Sequence, residues 1–210
     1  MVLSMNQTVM DWADDLKPEG FYGLGGLKRA SEKGAFVAES IIRNRIFENL
    51  ANFNPVVAGT LPIAVDTAES DIDILCECSD LGAFTQIADH VFSGFADYTR
   101  HDRAPTRHVG NAVVARFTCD EIPFEIFATD CPTSEQFGFV HMVVEARILA
   151  LLGDGFAQKV RALKQAGLKT EPAFAQILGL DGDPYITLAG LADLSPTELK
   201  DRLGLMLSRE

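Results

Sequence analysis

Hydrophobic and polar positions along the first half of the chain predict a helix, two strands and a second helix. Over residues 35–52 the apolar positions recur at helical spacing, which predicts an amphipathic helix with an apolar face of Phe36, Val37, Ile41, Ile42, Ile46, Phe47 and Leu50. Residues 55–58 and 72–76 are short apolar runs typical of strands. Residues 80–93 predict the second helix, with an inward face of Phe84, Ile87, Ala88 and Val91.

The second half of the chain predicts three strands followed by helices. Residues 96–103, 109–119 and 121–129 are strand-like, and Cys119-Asp120-Glu121 is short enough to join the last two in a hairpin. A helix over 132–152 is predicted to begin with a capping box of Thr133 and Gln136 and to end at Gly153. Four further helices are predicted over 156–166, 171–178, 184–191 and 196–207, the last capped by Ser195.

These elements predict an α+β fold with a mixed sheet of about five strands, helices on one face and further helices at the C-terminal end. We divide the chain into an N-terminal segment (1–34), a core (35–152) and a C-terminal helical extension packing on the core (153–210). The N-terminal segment is expected to be a helix followed by a flexible, glycine-rich connection.

Two aspartates separated by one isoleucine are the first candidate for chemistry. Side chains alternate along a strand, so Asp71 and Asp73 project from the same face. Two neighbouring carboxylates repel each other, and both stay ionised at neutral pH only beside a cation or strong donors. Magnesium, or manganese, is the cation that oxygen ligands suit. An isolated Asp-x-Asp is more often a solvated strand edge.

A third acidic residue makes a ligand-binding site a better interpretation of Asp71 and Asp73 than a solvated strand edge. Glu125 stands in the apolar segment IPFEIF, where a charge is costly unless something binds it. Because Phe124 and Ile126 alternate with it, burying them turns Glu125 to the opposite face. If the two strands are neighbours, that is also the face of Asp71 and Asp73. The pattern does not reveal strand order, so convergence of the three carboxylates is a prediction.

These residues resemble a known motif. A glycine and a small hydroxyl residue, ten intervening residues, an Asp-x-Asp flanked by apolar residues and a later carboxylate resemble the DNA polymerase β-like nucleotidyltransferase superfamily. Gly59, Thr60, Asp71, Asp73 and Glu125 match, with threonine where serine is more usual. More narrowly, residues 59–74, 141–153 (HMVVEARILALLG) and 169–185 (KTEPAFAQILGLDGDPY) resemble the bacterial domain-of-unknown-function family 4269, which brings no known substrate with it.

The resemblance implies transfer of a nucleoside monophosphate from a nucleoside triphosphate to an unidentified acceptor hydroxyl. Asp71, Asp73 and Glu125 would be catalytic and would hold magnesium, with Glu125 also a candidate base. Gly59 would permit close backbone approach, and the Thr60 hydroxyl with nearby amides would bind the terminal phosphates. Ser70, next to Asp71, belongs to the same substrate-binding set.

Other side chains are weaker candidates for the substrate site. Guanidinium groups bind phosphate through paired donors, and Arg107 belongs to a basic cluster with Arg100, Arg103 and Arg116, although a single arginine is more often solvated. His141 and Glu145 share one helix face, either as a hydrogen-bonded pair or at the border of a nucleotide pocket. Lys164, Lys169 and Glu171 either enter the cleft or stay solvated, and we favour solvation for the lysines.

Composition and net charge limit the classes of function that we expect for this protein. A chain of 210 residues, 47% hydrophobic and 23% charged, suits one globular domain or a core with a helical appendage. No apolar run approaches a membrane span and no secretory signal is recognisable, so a cytoplasmic location is expected. The four cysteines, Cys76, Cys78, Cys119 and Cys131, are expected to be reduced and structural. A net charge of −12 argues against extended nucleic-acid binding but permits a metal-bound mononucleotide.

Two other functions fit the same residues. A catalytically silent module of the same fold would bind a nucleotide or a partner without turnover, although intact acids at all three matching positions count against it. A metal-dependent phosphohydrolase would use the same carboxylates and magnesium to direct water instead of an acceptor hydroxyl.

Overall fold

The protein is built around a mixed sheet of five strands. The computed structural model describes residues 11–106 and 109–207, so Arg107 lies outside the described residues. The strands are β1 (Val56–Ala58), β2 (Ile72–Glu77), β3 (Ala96–Arg103), β4 (Ala112–Cys119) and β5 (Ile122–Thr129). Their order is β1-β2-β5-β4-β3, with β2 and β5 parallel and the other neighbours antiparallel. The α+β class and the mixed sheet predicted from the sequence are confirmed.

Helices precede, interrupt and follow this sheet. They are α1 (Gly25–Ala30), α2 (Glu32–Arg43), α3 (Ile46–Asn49), α4 (Leu81–Phe92), α5 (Phe137–Gln165), α6 (Thr170–Leu178), α7 (Pro184–Ala189) and α8 (Pro196–Leu207). None of the helices in the described part of the chain combines the length and apolarity needed to cross a membrane. All four cysteines are free thiols.

One face of the sheet carries the main hydrophobic core. Alternate side chains of β2 and β5 on this face pack against α2 and α4 in one cluster. Phe117 of β4 stacks between Phe92 of α4 and Phe124 of β5, at ring-centroid distances of 4.8 and 5.3 Å. The alternation that buries these side chains turns the intervening residues of β2 and β5 to the other face.

Helix α5 covers only part of that other face. Its first half packs on β1 and on Leu75 through Phe139, Met142 and Val143. At Gly153 the backbone leaves helical geometry (φ 70°, ψ −169°), as the predicted stop requires, and the helix then continues. The second half joins α6, α7 and α8 in a separate hydrophobic cluster. The carboxylate-bearing part of β2 and β5 is left facing a cavity walled by helices.

The first predicted helix is wrong in extent and in part of its apolar face. The helix over 35–52 breaks where Arg45 adopts a left-handed φ of 56°, and α2, α3 and a 3-10 turn replace it. Phe36 and Ile42 are each 51% exposed, because the buried stripe of α2 runs through Val37, Ala38 and Ile41 instead.

Two local expectations also fail. Among the described residues, no side chain caps the start of α5: the Gln136 amide donates to the carbonyls of Cys76 and Cys131, and the Thr133 hydroxyl to that of Asn54. The glycine-rich stretch after residue 20 is not a flexible connection, because it forms α1 and buries Leu27 in the main core. The Ser195 cap predicted at α8 is present: its hydroxyl accepts from the Glu198 backbone N–H, and the Glu198 carboxylate accepts from the Ser195 N–H. The three-part division of the chain stays a prediction.

Candidate active site

A cavity of about 660 Å³ lies between the open face of the sheet and helices α5 and α6. It is lined by residues from the β1–β2 loop, β2, β4, β5 and the two helices. Every predicted site residue within the described part of the chain borders it, namely Gly59, Thr60, Ser70, Asp71, Asp73, Glu125, His141 and Glu145. Residues far apart in sequence therefore meet around one space.

The parallel pairing of β2 and β5 brings two of the acids together. Asp73 stands directly opposite Glu125 in the register of the two strands. Their strand neighbours Ile72, Ile74 and Phe124 are buried in the main core, so both carboxylates emerge on the cavity side. Asp71 immediately precedes β2 and also lines the cavity. The strand adjacency left open by the sequence is thus present.

Gly59 brings the backbone against one of these carboxylates. Its φ of 75° lies in the left-handed region that favours glycine. A Cβ placed on Gly59 would lie 2.5 Å from Oδ2 of Asp73, which is far inside van der Waals contact. Only glycine permits this approach of the β1–β2 loop to Asp73.

Electrostatics in the cavity favour a bound cation. Burial, together with repulsion from Asp71 and Glu125, raises the pKa of Asp73 to about 7. A carboxyl in this state gains if a positive charge compensates the charges around it. The surrounding protein groups provide that compensation only in part.

Arginines on β4 and β3 supply part of the positive charge. Arg116 stands opposite Glu125 in the β4–β5 register, and its guanidinium contacts the Glu125 carboxylate. Arg103 borders the cavity with its guanidinium 5.7 Å from the Phe127 ring centroid. Arg100 does not join them, because it pairs with Asp89 at 3.0 Å. The sequence predicted a basic cluster without distinguishing these roles.

The second half of α5 holds the β1–β2 loop, a function that the sequence analysis missed. Arg161 donates to the carbonyl of Ala64 at 2.7 Å, and Lys164 to that of Val65 at 2.9 Å. The solvated interpretation of Lys164 is therefore wrong, and burial lowers the pKa of its ammonium. No sequence motif marks these contacts, because their acceptors are backbone carbonyls.

His141 is part of a buried polar group at the helical wall of the cavity. Its Nε2–H donates to the carbonyl of Tyr185 at 2.8 Å, and Nδ1 lies 3.3 Å from Oε1 of Glu171. Burial opposes ionisation of Glu171, but the hydrogen bond from His141, a backbone hydrogen bond and the charges of His141 and Lys169 together outweigh it and lower the pKa of that carboxyl. The expected hydrogen-bonded pair of His141 with Glu145 is not formed, whereas both residues do border the cavity.

The donor chemistry of the carboxylates fits a divalent cation. Within residues 11–106 and 109–207, no three His, Cys, Asp or Glu side chains form a ready-made metal cluster. Asp71 and Asp73 nevertheless offer the oxygen ligands that magnesium prefers, and a cation would offset both the burial and the carboxylate repulsion that raise the pKa of Asp73. Arg116 contacts Oε2 of Glu125, so that oxygen would become a metal ligand only when Arg116 moves away.

Comparisons with known proteins found one matching family model and several similar solved structures. A family model described as Domain of unknown function (DUF4269) matches residues 39–191. No curated protein matches significantly. The polymerase core of TRAMP, an RNA surveillance complex, is 16% identical (TM-score 0.45) over 85% of this chain and 58% of that chain. The structure of mtPAP in complex with UTP is 10% identical (TM-score 0.45) over 91% and 46%.

A third match is JHP933 from Helicobacter pylori, 14% identical with a TM-score of 0.32 over 85% of this chain and 94% of that chain. This chain spans about half the length of the first two structures.

Proposed function

The chain belongs to the domain-of-unknown-function family DUF4269, and we propose that it is a metal-dependent nucleotidyltransferase acting on a nucleoside triphosphate and an acceptor hydroxyl. That membership confirms the narrower resemblance predicted from the sequence. The family has no assigned reaction, so the argument for nucleotidyl transfer comes from the residues of the cavity.

The single observation that carries the proposal is the pairing of Asp73 with Glu125 across parallel strands beside Asp71 and Gly59. It supports a site where closely spaced acids meet a loop backbone able to approach a ligand. The raised pKa of Asp73 supports a requirement for a cation. Asp71 and Asp73 would hold magnesium, which when bound neutralises phosphate charge and stabilises an in-line displacement.

The remaining residues would orient the reactants. The Thr60 hydroxyl and the amides of the loop would bind terminal phosphates, and Arg116 and Arg103 would offer guanidinium donors to the same oxygens. Once Arg116 turns to phosphate, Glu125 is free to accept the proton of the acceptor hydroxyl. The hydroxyl oxygen then bonds to the α-phosphorus, the bond from that phosphorus to the bridging oxygen breaks, and pyrophosphate leaves.

Incubation with magnesium, an α-labelled nucleoside triphosphate and a pool of hydroxyl compounds tests this proposal. We expect labelled product and an equal amount of pyrophosphate. Asp71→Asn and Asp73→Asn should each reduce transfer by at least about a thousandfold, because each removes a charged ligand of the reacting complex. Asp154→Asn is the matched control, since Asp154 is exposed on α5 and does not border the cavity.

Two other outcomes contradict nucleotidyl transfer, and a third contradicts the assigned site. Release of inorganic phosphate without labelled product identifies a phosphohydrolase. Saturable nucleotide binding with no turnover identifies a binding module. Full transfer activity in both Asp71→Asn and Asp73→Asn removes these aspartates from the reaction.

A further inference from the structure

A carboxylate outside the proposed catalytic acids is buried at the helical wall of the cavity. The Glu145 residue is only 3% exposed and borders the cavity, and its Oε1 has no hydrogen-bond partner among the described residues. An unpaired buried polar atom is unfavourable, and native structures pair most such atoms with protein, water or a ligand. Glu145 therefore has an acceptor without a partner in a side chain that lines the cavity.

The neighbouring charged groups do not satisfy Glu145. Burial and the negative charge of Glu171 raise the pKa of the Glu145 carboxyl well above its usual range. The charge of Lys164 lowers that pKa, but its ammonium donates a hydrogen bond to the Val65 carbonyl. His141 is directed to Glu171 and to the Tyr185 carbonyl. Two carboxyl groups thus share one wall, and no cationic group of the described residues forms an ion pair with Glu145.

The charge and hydrogen-bonding capacity of this wall determine which chemical group of a substrate it can bind. A phosphate group would be repelled by Glu171 and would disfavour ionisation of Glu145 further, and a neutral nucleobase would not stabilise the ionised form of either carboxyl. A primary ammonium carries three N–H donors and a positive charge, so it would fill the unused acceptor and offset the repulsion between the carboxylates.

We infer that Glu145 and Glu171 form a subsite for an ammonium group of the acceptor, which is therefore an amine that also carries a hydroxyl. This inference rests on the proposed function only in naming the ligand as the acceptor. The subsite lies on α5 and α6, whereas Asp71, Asp73 and Glu125 lie at the sheet. An acceptor held at the helical wall by its amine would extend its hydroxyl across the cavity.

Titration calorimetry on the full chain, without nucleotide, tests the subsite with two probes of matched shape. The first is 1,3-diaminopropan-2-ol, and the second is glycerol, in which hydroxyls replace the amines. We expect saturable binding of the diamine and none of glycerol. Glu145→Gln keeps the shape of the side chain but removes its charge, so it should weaken diamine binding about tenfold or more.

Glu135→Gln is the control variant, because Glu135 also borders the cavity but is exposed. It should bind the diamine like the unaltered protein. Thermal unfolding provides a second readout: the diamine should raise the midpoint of the unaltered protein and of Glu135→Gln but not that of Glu145→Gln. Equal diamine binding by Glu145→Gln and the unaltered protein, or equal binding of glycerol and the diamine, overturns the inference.

The two proposals fail separately. Diamine binding that depends on Glu145 in a protein without transfer activity supports the subsite and rejects nucleotidyl transfer. Transfer to a hydroxyl compound without an amine, at the same rate in Glu145→Gln, supports nucleotidyl transfer and rejects the subsite.

Discussion

Gly59 is important for the proposed site because it has no side chain. A side chain there would collide with Oδ2 of Asp73, and the positive φ of the residue would add backbone strain. The same left-handed backbone occurs at Gly179, where an added Cβ would meet no atom of the described residues within 4 Å. The two glycines therefore separate the cost of the backbone from the cost of the collision.

We predict that Gly59→Ala greatly reduces turnover, while Gly179→Ala leaves it unchanged. Both substitutions should lower the free energy of unfolding by about 1–2 kcal/mol for the left-handed backbone. Only Gly59→Ala displaces Asp73 from its place beside the loop. Steady-state rates and urea unfolding of both variants measure the two effects. Equal turnover in the two variants would show that the close approach has no catalytic role.

The raised pKa of Asp73 also predicts that the stability of the folded protein depends on pH. Its pKa is raised to about 7 by burial and neighbouring acids, so in the folded protein it stays protonated after it has ionised in the unfolded chain. Its contribution to stability is present below the unfolded pKa of about 4 and is lost as the pH rises to about 7. Above that pH the buried, ionised carboxylate destabilises the folded protein unless a cation compensates its charge.

Without divalent metal, Asp73→Asn should therefore unfold a few degrees higher than the unaltered protein at pH 8 and at the same temperature below pH 4. Magnesium should raise the midpoint of the unaltered protein at pH 8 and have less effect on Asp73→Asn. Thermal unfolding at both pH values, with chelator and with magnesium, provides the measurement. A midpoint difference that does not change with pH would contradict the assigned cause.

At the scale of elements, α5 connects the two walls of the cavity. Its first half carries His141 and Glu145, and its second half holds the β1–β2 loop through Arg161 and Lys164. The loop includes Ala64, whose φ of 56° is unfavourable for a residue with a side chain. The hydrogen bond from Arg161 to the Ala64 carbonyl helps to keep the loop in that conformation.

Arg161 is thus predicted to be a positioning residue. Arg161→Met should lower kcat about tenfold with a smaller change in KM, because the loop carries Thr60 and Ser70 but Arg161 itself does not border the cavity. Hydrogen exchange of the amides in residues 60–70 should become faster. Lys159→Met, which alters an exposed residue of the same helix, is the control. Unchanged exchange in the loop would contradict the assigned role.

The elements also show which features the sequence could predict. Alternation in IPFEIF predicted the side of the sheet that Glu125 faces, because burial of Phe124 and Ile126 determines it locally. The adjacency of β2 and β5 depends on contacts between distant segments, so no local pattern contains it. The same holds for Arg161 and Lys164, whose partners are backbone carbonyls, and for Glu145, whose burial depends on how α5 packs.

At the scale of the molecule, Arg147 connects the N-terminal segment to the C-terminal helices. It is 7% exposed, and it donates to the carbonyl of Leu16 at 3.1 Å and to that of Ala192 at 2.7 Å. Its guanidinium lies 4.9 Å from the ring centroid of Trp12, whose indole donates to the Leu194 carbonyl. Burial lowers the pKa of Arg147, an electrostatic cost that these contacts offset.

Arg147→Met keeps most of the side-chain volume but leaves two carbonyls without their donor and removes the cation from Trp12. We predict a loss of about 2–4 kcal/mol in the free energy of unfolding.

Trp12 is the only tryptophan of the chain, so its fluorescence reports directly on the docking of the N-terminal segment. The emission of Arg147→Met should shift to longer wavelength before global unfolding begins, since the exposed indole meets water. Arg202→Met changes an exposed arginine of α8 and should alter neither emission nor stability. Identical Trp12 emission in Arg147→Met and Arg202→Met would mean that the contacts of Arg147 are not needed to hold Trp12 in place.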